Sequence, residues 1–160
     1  MRIKSEKGIT LLVLVIVVVV LGILATIAVG EVGDLMNQVN KETISTDLLL
    51  IQAKAKVLNE KATFNSDESL LKGQKLDEIT GNQAVEELIS KGVLNTSEEH
   101  YDKYYIWDKQ TLDELELTIE NMEDNDFFIV NYETEEVIYP KGYKHSDGNI
   151  YYKLSEITEK

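Results

Sequence analysis

The sequence predicts an α+β protein in which a long N-terminal α-helix packs on a small antiparallel β-sheet with short helices. The helix is predicted by an apolar run and by apolar residues at helical spacing that continue to about Glu60. The sheet is predicted because all eight tyrosines and the single tryptophan lie from Tyr101 onward, in short runs rich in aromatic and β-branched residues. The helix is expected to have a membrane-spanning half and an amphipathic half.

The apolar run covers residues 9–29, which are 21 residues without a charge. As a helix with about 1.5 Å per residue it is roughly 30 Å long, the thickness of a bilayer's hydrocarbon core. Three basic residues and one acidic residue precede the run, whereas Glu31 and Asp34 follow it. This asymmetry predicts a cytoplasmic N-terminus and an exported C-terminal part. The run is longer than the core of a cleaved signal peptide, although Ala28-Val29-Gly30 could serve as a conventional cleavage site.

The segment from Lys7 to Leu12, together with the segment from Leu21 to Ala28, resembles the N-terminus of type IV pilins and of the pseudopilins of type II secretion and competence systems. In that family a prepilin peptidase removes a short basic leader that ends in Gly and methylates the new N-terminal residue. The resemblance therefore implies a processing site formed by Lys7, Gly8 and Ile9, with Ile9 as the methylated N-terminus. It also implies the membrane, the peptidase and other pilin or pseudopilin subunits as partners.

One position departs from the family pattern. The family normally has Glu at the fifth residue of the mature chain, and this chain has Val13 there. In the family that carboxylate neutralises the amine of a neighbouring subunit within an apolar bundle, where an unpaired charge is costly. The departure favours a minor, tip-proximal subunit, and the alternative is that a neutral residue is tolerated at this position.

Four segments are expected along the chain. Residues 1–8 form the leader, residues 9–30 the transmembrane or pilus-core helix, residues 31–62 the amphipathic helix that continues it, and residues 63–160 an exported α+β head. The amphipathic helix is expected to have one apolar face and a polar opposite face. The apolar face consists of Leu35, Met36, Val39, Ile44, Leu48, Ile51, Ala55 and Leu58.

Within the head, three or four strands and three short helices are predicted. The strands are Tyr104–Trp107, a hairpin of Phe127–Tyr132 with Glu136–Tyr139 that ends at Pro140–Gly142, and Ile150–Leu154 after a tight turn at Asp147–Asn149. The helices are Glu68–Lys72, Gln83–Lys91 with Asn82 as its N-cap and Gly92 as its stop, and Thr111–Leu117 with Thr111 opening a capping box. Trp107 and Phe128 are expected to be buried.

Composition limits the chemistry. The chain has no cysteine, which excludes disulfides, thiolate metal sites and a cysteine nucleophile. From Ile9 onward it has 13 basic and 28 acidic residues, a net charge of −15, so no nucleic-acid binding is predicted for the head. His100 and His145 are interpreted as surface residues, and no catalytic motif is present. The low Pro content and abundant Lys, Glu, Asn and Ile are typical of an AT-rich Gram-positive bacterium.

Two binding alternatives remain in the head. The oxygen ligands of Glu120, Glu123, Asp124 and Asp126 would suit Ca²⁺, but their spacing is not that of an EF-hand and acidic loops are usually solvated, so no metal is predicted. The tyrosine-rich strands could bind a glycan, but they are better interpreted as core and cross-strand pairs.

These observations predict a structural subunit without enzymatic activity or cofactor: a minor pilin or pseudopilin of a type IV pilus, competence or type II secretion-like assembly. It would be a single-pass protein of the cytoplasmic membrane with its head exported, and would reach the cell surface or a pilus after assembly. The alternative is a single-pass membrane-anchored surface protein whose acidic exported domain binds a ligand or partner.

Overall fold

The computed structural model describes residues 40–159. Lys41–Lys160 form one compact unit. The leader, the apolar run, Val13 and residues 31–39 of the predicted amphipathic helix lie outside the described residues. Within residues 40–159, no helix combines the length and apolarity that crossing a membrane requires.

The described chain is α+β, with one five-stranded antiparallel sheet in the sequential order β1-β2-β3-β4-β5. The strands are β1 (Gln74–Lys75), β2 (Tyr104–Asp108), β3 (Phe127–Asn131), β4 (Val137–Lys144) and β5 (Ile150–Lys153). The α-helices of this part are α1 (residues 40–65), α2 (Gln83–Ser90), α3 (Lys109–Glu114) and α4 (Leu154–Glu159). Three 3-10 helices cover Glu68–Leu70, Leu76–Glu78 and Tyr101–Lys103.

The alternation of side chains along β2 shows why the sheet is covered on both faces. Tyr105 and Trp107 point into one core, whereas Tyr104 and Ile106 point into another. The first core lies between the sheet and helices α1, α3 and α4, and the second between the sheet and the segment that contains α2. Both faces are apolar, as expected for a sheet buried on two sides. Trp107 and Phe128 are 0% and 4% exposed, which confirms the prediction that they are buried.

Helix α1 runs from residue 40 to residue 65, three residues beyond the end that the sequence predicted at residue 62. Its end is a left-handed turn, with Ser66 at φ +51° and the Asp67 amide donating to the Ala62 carbonyl oxygen at 2.9 Å. Helix α2 confirms the Asn82 cap, because the Asn82 side chain accepts hydrogen bonds from the amides of Ala84 and Val85.

Three local predictions were wrong. Helix α3 is capped by Asp108 instead of Thr111: Asp108 Oδ1 accepts from the Thr111 amide at 2.8 Å, and the helix ends at Glu114. Strand β4 does not end at Pro140–Gly142 but runs to Lys144, since a register shift between Ile138 and Tyr143 accommodates the proline. Leu154 opens helix α4 instead of ending a strand.

Strand β1 was not predicted. It has two residues, with Gln74 opposite Ile106 and Lys75 opposite Tyr105. Two residues are too few to show a period, so this edge of the sheet is visible only in the folded chain.

Candidate functional site

Helix α1 has one face buried in the first core. Leu48, Ile51, Ala55 and Ala62 are at most 5% exposed, and the first three lie in the cluster that contains Trp107. Their spacing of three, four and seven residues places them on one side of the helix. This face attaches the helix to the sheet.

Polar side chains at one edge of the buried face attach α1 to the turn between β3 and β4. Gln52 Nε2 donates to the Glu135 carbonyl oxygen at 2.8 Å, and Asn59 Nδ2 donates to the Tyr132 carbonyl oxygen at 2.8 Å. Lys56 Nζ lies 3.0 Å from Glu135 Oε1, and the hydrogen bond to this carboxylate raises the pKa of Lys56. The helix is therefore held along about two turns, from Gln52 to Asn59.

Between residues 49 and 64 the opposite face of α1 is largely apolar, with Glu60 among its exposed residues, which corrects the prediction that polar residues fill it. Leu49, Leu50, Val57 and Phe64 are 47%, 48%, 45% and 89% exposed, and Ala53 is exposed between them. We call these five residues the outer stripe. Clustered exposed apolar side chains of this kind are typical of interaction sites. The apolar residues at positions 49, 50, 53, 57 and 64 also recur at helical spacing in the sequence. The stronger apolar pattern of the buried face made this second pattern hard to recognise.

An open cleft of about 370 Å³ is lined by the end of α1, by the loop that follows it, and by residues next to β2 and β3. Its charged side chains are Asp67, Glu68, Glu133 and Lys103. Lys103 Nζ lies 3.4 Å from Glu68 Oε1, so the only cation of this lining is already paired within the cleft. The excess of carboxylates would suit a cationic group.

Three of the four calcium candidates make ion pairs with lysines. Asp124 Oδ1 lies 2.6 Å from Lys109 Nζ, which lowers the pKa of Asp124. Lys141 Nζ lies 2.9 Å from Glu123 Oε2 and 2.8 Å from Asp126 Oδ2.

Glu120 makes no ion pair within residues 40–159. The pKa of Asp47 is raised mainly by the burial of its own carboxyl group and, to a smaller extent, by the negative charge of Glu120. No three potential ligands of the described chain are arranged to hold a metal. The Lys141 ammonium group instead lies between the carboxylates of Glu123 and Asp126.

The two histidines have separate environments. His100 adopts φ +66°, and its carbonyl oxygen accepts a hydrogen bond from the buried Asn131 side chain at 3.1 Å. His145 lies between the rings of Tyr143 and Tyr151, and its Nδ1 is 3.3 Å from Asp147 Oδ2. Each histidine supports a turn, and nothing in these contacts brings the two together.

The tyrosine-rich strands form core. Tyr104, Tyr105, Tyr132, Tyr143 and Tyr152 are at most 9% exposed. Tyr105 and Tyr132 pack edge to face, with ring centroids 4.9 Å apart. Their faces are therefore buried and do not offer a stacking surface for a glycan.

The predicted processing residues Lys7, Gly8 and Ile9 and the position of the usual Glu, Val13, lie outside the described residues. No known protein family, curated protein or solved structure matches this chain.

Proposed function

We propose that the chain is a minor pilin or pseudopilin: a structural subunit of a type IV pilus, competence or type II secretion-like assembly, matured by a prepilin peptidase between Gly8 and Ile9. In this proposal residues 9–30 form a membrane helix that continues into α1 as one long helix. The peptidase releases Ile9, and the subunit then leaves the membrane by packing its helix against the helices of other subunits.

The outer stripe carries this proposal, together with the leader-like sequence before it. A helix that only supported a soluble head would present polar residues to solvent on the side away from the core. Helix α1 instead presents Leu50, Ala53, Val57 and Phe64 there, over about four turns. A second apolar face on a helix that follows a membrane run in the sequence is what helix-on-helix assembly requires.

The alternative function, a membrane-anchored surface protein that binds a ligand, is favoured by the acidic cleft. Its volume of about 370 Å³ is within the range of small-molecule sites. Unlike the outer stripe, however, the cleft is lined mainly by polar residues. Tyr132, which contributes to the lining, is only 2% exposed and so offers no aromatic surface to a ligand. We therefore rank it second.

The N-terminus of the protein distinguishes the two functions. Co-expressed with a prepilin peptidase, the chain should begin at a methylated Ile9 by mass spectrometry. Gly8→Leu should block this processing, whereas Gly22→Leu, a matched change within the apolar run, should leave it intact. A chain that still begins at Met1, or one that begins at Glu31, would contradict the proposal.

A further inference from the structure

The outer stripe has the spacing of a coiled-coil seam. Leu50, Val57 and Phe64 lie seven residues apart, and Ala53 and Glu60 lie three residues after the first two of them. These are the two inward-facing positions of a heptad repeat, so the five side chains form one row along α1. In a straight helix such a row drifts by only about 20° per heptad, so it stays on one side of the helix. The row therefore has the geometry to pack against one other helix.

Charged residues interrupt and border this seam. Glu60 occupies an inward-facing position of the repeat and is exposed in the domain. Lys54 and Lys61 border the seam on one side, and Lys56 borders it on the other. Lys56 Nζ lies 3.0 Å from Glu135 Oε1, whereas Glu60, Lys54 and Lys61 make no ion pair within residues 40–159. The seam thus presents one carboxylate within the row and two ammonium groups along one border.

Two copies of this seam are poorly matched to each other. In a parallel pair, Glu60 of one copy would face Glu60 of the other, and Lys56 of each would face Lys61 of the other. In an antiparallel pair, the border with Lys54 and Lys61 would face the same border of the other copy. Like charges at these positions destabilise a coiled coil and act against the wrong partner. The charges therefore disfavour self-pairing in either orientation.

We propose that this seam docks a helix of a different chain, which carries acidic residues opposite Lys54 and Lys61 and a basic residue opposite Glu60. The two acidic residues of the partner lie seven residues apart, because Lys54 and Lys61 do. That the partner is another subunit of the same assembly rests on the proposed function. The row of apolar side chains supplies the contact, and the charges determine which helix is accepted.

The seam is suited to chains that share a membrane. It extends over about two heptads, and Leu50 and Val57 are already about half covered, with 48% and 45% of their surface exposed. A contact of this size is too small for stable association in dilute solution. Two anchored chains have a much higher effective concentration, which a weak contact of defined geometry can exploit. A test of the seam therefore needs an anchored partner.

Disulfide cross-linking to designed helices tests the proposal, because the chain has no cysteine of its own. The full chain with Val57→Cys is produced, in cells without a prepilin peptidase, together with one of two membrane-anchored probe helices. Both probes have leucine at the inward-facing heptad positions and one cysteine opposite residue 57. The matching probe has lysine opposite Glu60 and glutamates opposite Lys54 and Lys61, and the mismatched probe has these charges reversed. After mild oxidation of the membranes, the matching probe should give a several-fold higher yield of heterodimers.

Variants of the chain check the origin of this preference. Glu60→Lys combined with Lys54→Glu and Lys61→Glu should transfer the preference to the mismatched probe. Glu86→Cys, exposed on α2, is the control position and should give low yields with both probes. Homodimers of the Val57→Cys chain should be no more abundant than those of Glu86→Cys. Adding Glu60→Leu and Lys61→Glu to Val57→Cys should raise the homodimer yield several-fold, because the like charges are then removed.

Three results would overturn the proposal: equal yields with the two probes, a preference of the unchanged seam for the mismatched probe, or Val57→Cys homodimers as abundant as its heterodimers with the matching probe. Processing at Gly8 is read separately in cells with the peptidase. Chains that select the matching probe but are never cut would defeat the proposed function and leave the selective seam in place. Chains that are cut but do not distinguish the probes would defeat the seam alone.

Discussion

The hydroxyl of Tyr132 is hydrogen-bonded to both backbone groups of Lys72: it donates to the carbonyl oxygen at 2.8 Å and accepts from the amide nitrogen at 2.9 Å. The same carbonyl oxygen accepts from Trp107 Nε1 at 2.9 Å. The next residue, Gly73, has φ +94°, and a Cβ there would lie 2.6 Å from Trp107 Cδ1. Two buried aromatic side chains thus attach the loop between α1 and β1 to the sheet.

We predict that residues 32–160 fold cooperatively without metal, because the compact unit within them begins at Lys41 and has two apolar cores. Circular dichroism should show one thermal transition, at the same temperature with chelator and with added Ca²⁺. A transition that moves down in chelator would restore the acidic loop from Glu120 to Asp126 as a calcium site.

Replacing Tyr132 by Phe should lower the free energy of unfolding of this domain by about 1–3 kcal/mol, because the Lys72 amide loses its partner in a partly buried hydrogen bond. Urea unfolding measures the loss. Tyr139→Phe is the matched control, since the Tyr139 hydroxyl makes no hydrogen bond in the described part of the chain, and its effect should stay within about 0.5 kcal/mol. Equal effects of the two changes would show that the contact with Lys72 contributes nothing.

Stability at alkaline pH should depend on the same residue. Burial raises the pKa of Tyr132 and of Tyr104 from 10.0 to about 12. A raised pKa in the folded state means that the contribution to stability is complete below pH 10 and is lost as the pH rises through 12. Unfolding followed across this range should show the decline, and Tyr132→Phe should flatten it. Phenolate absorbance should show the ionisation of Tyr132 and Tyr104 near pH 12.

The ion pairs of Lys141 supply a further prediction. Asp126 is 12% exposed in its side chain, whereas Glu123 is 77% exposed, so the pair with Asp126 is the less screened of the two. Lys141→Met should lower stability by about 0.5–1 kcal/mol in low salt, and the difference should shrink in high salt. Lys144→Met, three residues along the same strand and without an ion pair in the described chain, should have no effect. A loss that persists unchanged in high salt would assign the role of Lys141 to packing.

The elements that the sequence predicted well are those with local causes. The run of aromatic and β-branched residues from Tyr104 to Trp107 predicts β2. The side chain of Asn82 predicts the start of α2. Both signals lie within the elements themselves. The elements that it missed depend on distant partners. Strand β1 exists because β2 is there to pair with it, and β4 continues through Pro140 because a register shift absorbs the proline.

The outer stripe was missed for a different reason. A helix with two apolar faces has a weaker period than a helix with one, so Leu49, Leu50 and Val57 read as exceptions to the buried pattern. Only their exposure in the folded domain shows that they form a surface of their own. For a helix with two apolar faces, hydrophobic periodicity therefore predicts the face in the core but not the exposed face.

Val13 stands where pilins normally have a glutamate, and this bears on how abundant the chain is in a filament. In a pilin-like bundle every internal subunit brings a positively charged amine into an apolar environment, where an unpaired charge costs several kcal/mol, about the scale of a broken buried ion pair. Val13 offers no carboxylate, so a homopolymer would repeat that cost at each step. A subunit at the tip has no neighbour above it whose amine needs a partner, while its own amine can reach a Glu of another subunit. If the chain is a pilin-like subunit, as proposed, we therefore expect it to be a scarce component of the filament.

Quantitative proteomics of sheared surface filaments checks this expectation, and the chain should be far less abundant than the major subunit. Val13→Glu should still insert into the membrane and should increase incorporation into filaments. Val13→Gln is the matched control, because it adds a polar side chain of similar size without the charge, and it should give no increase. If this chain is the dominant protein of the sheared filaments, the absence of the carboxylate does not limit assembly and the interpretation of Val13 is wrong.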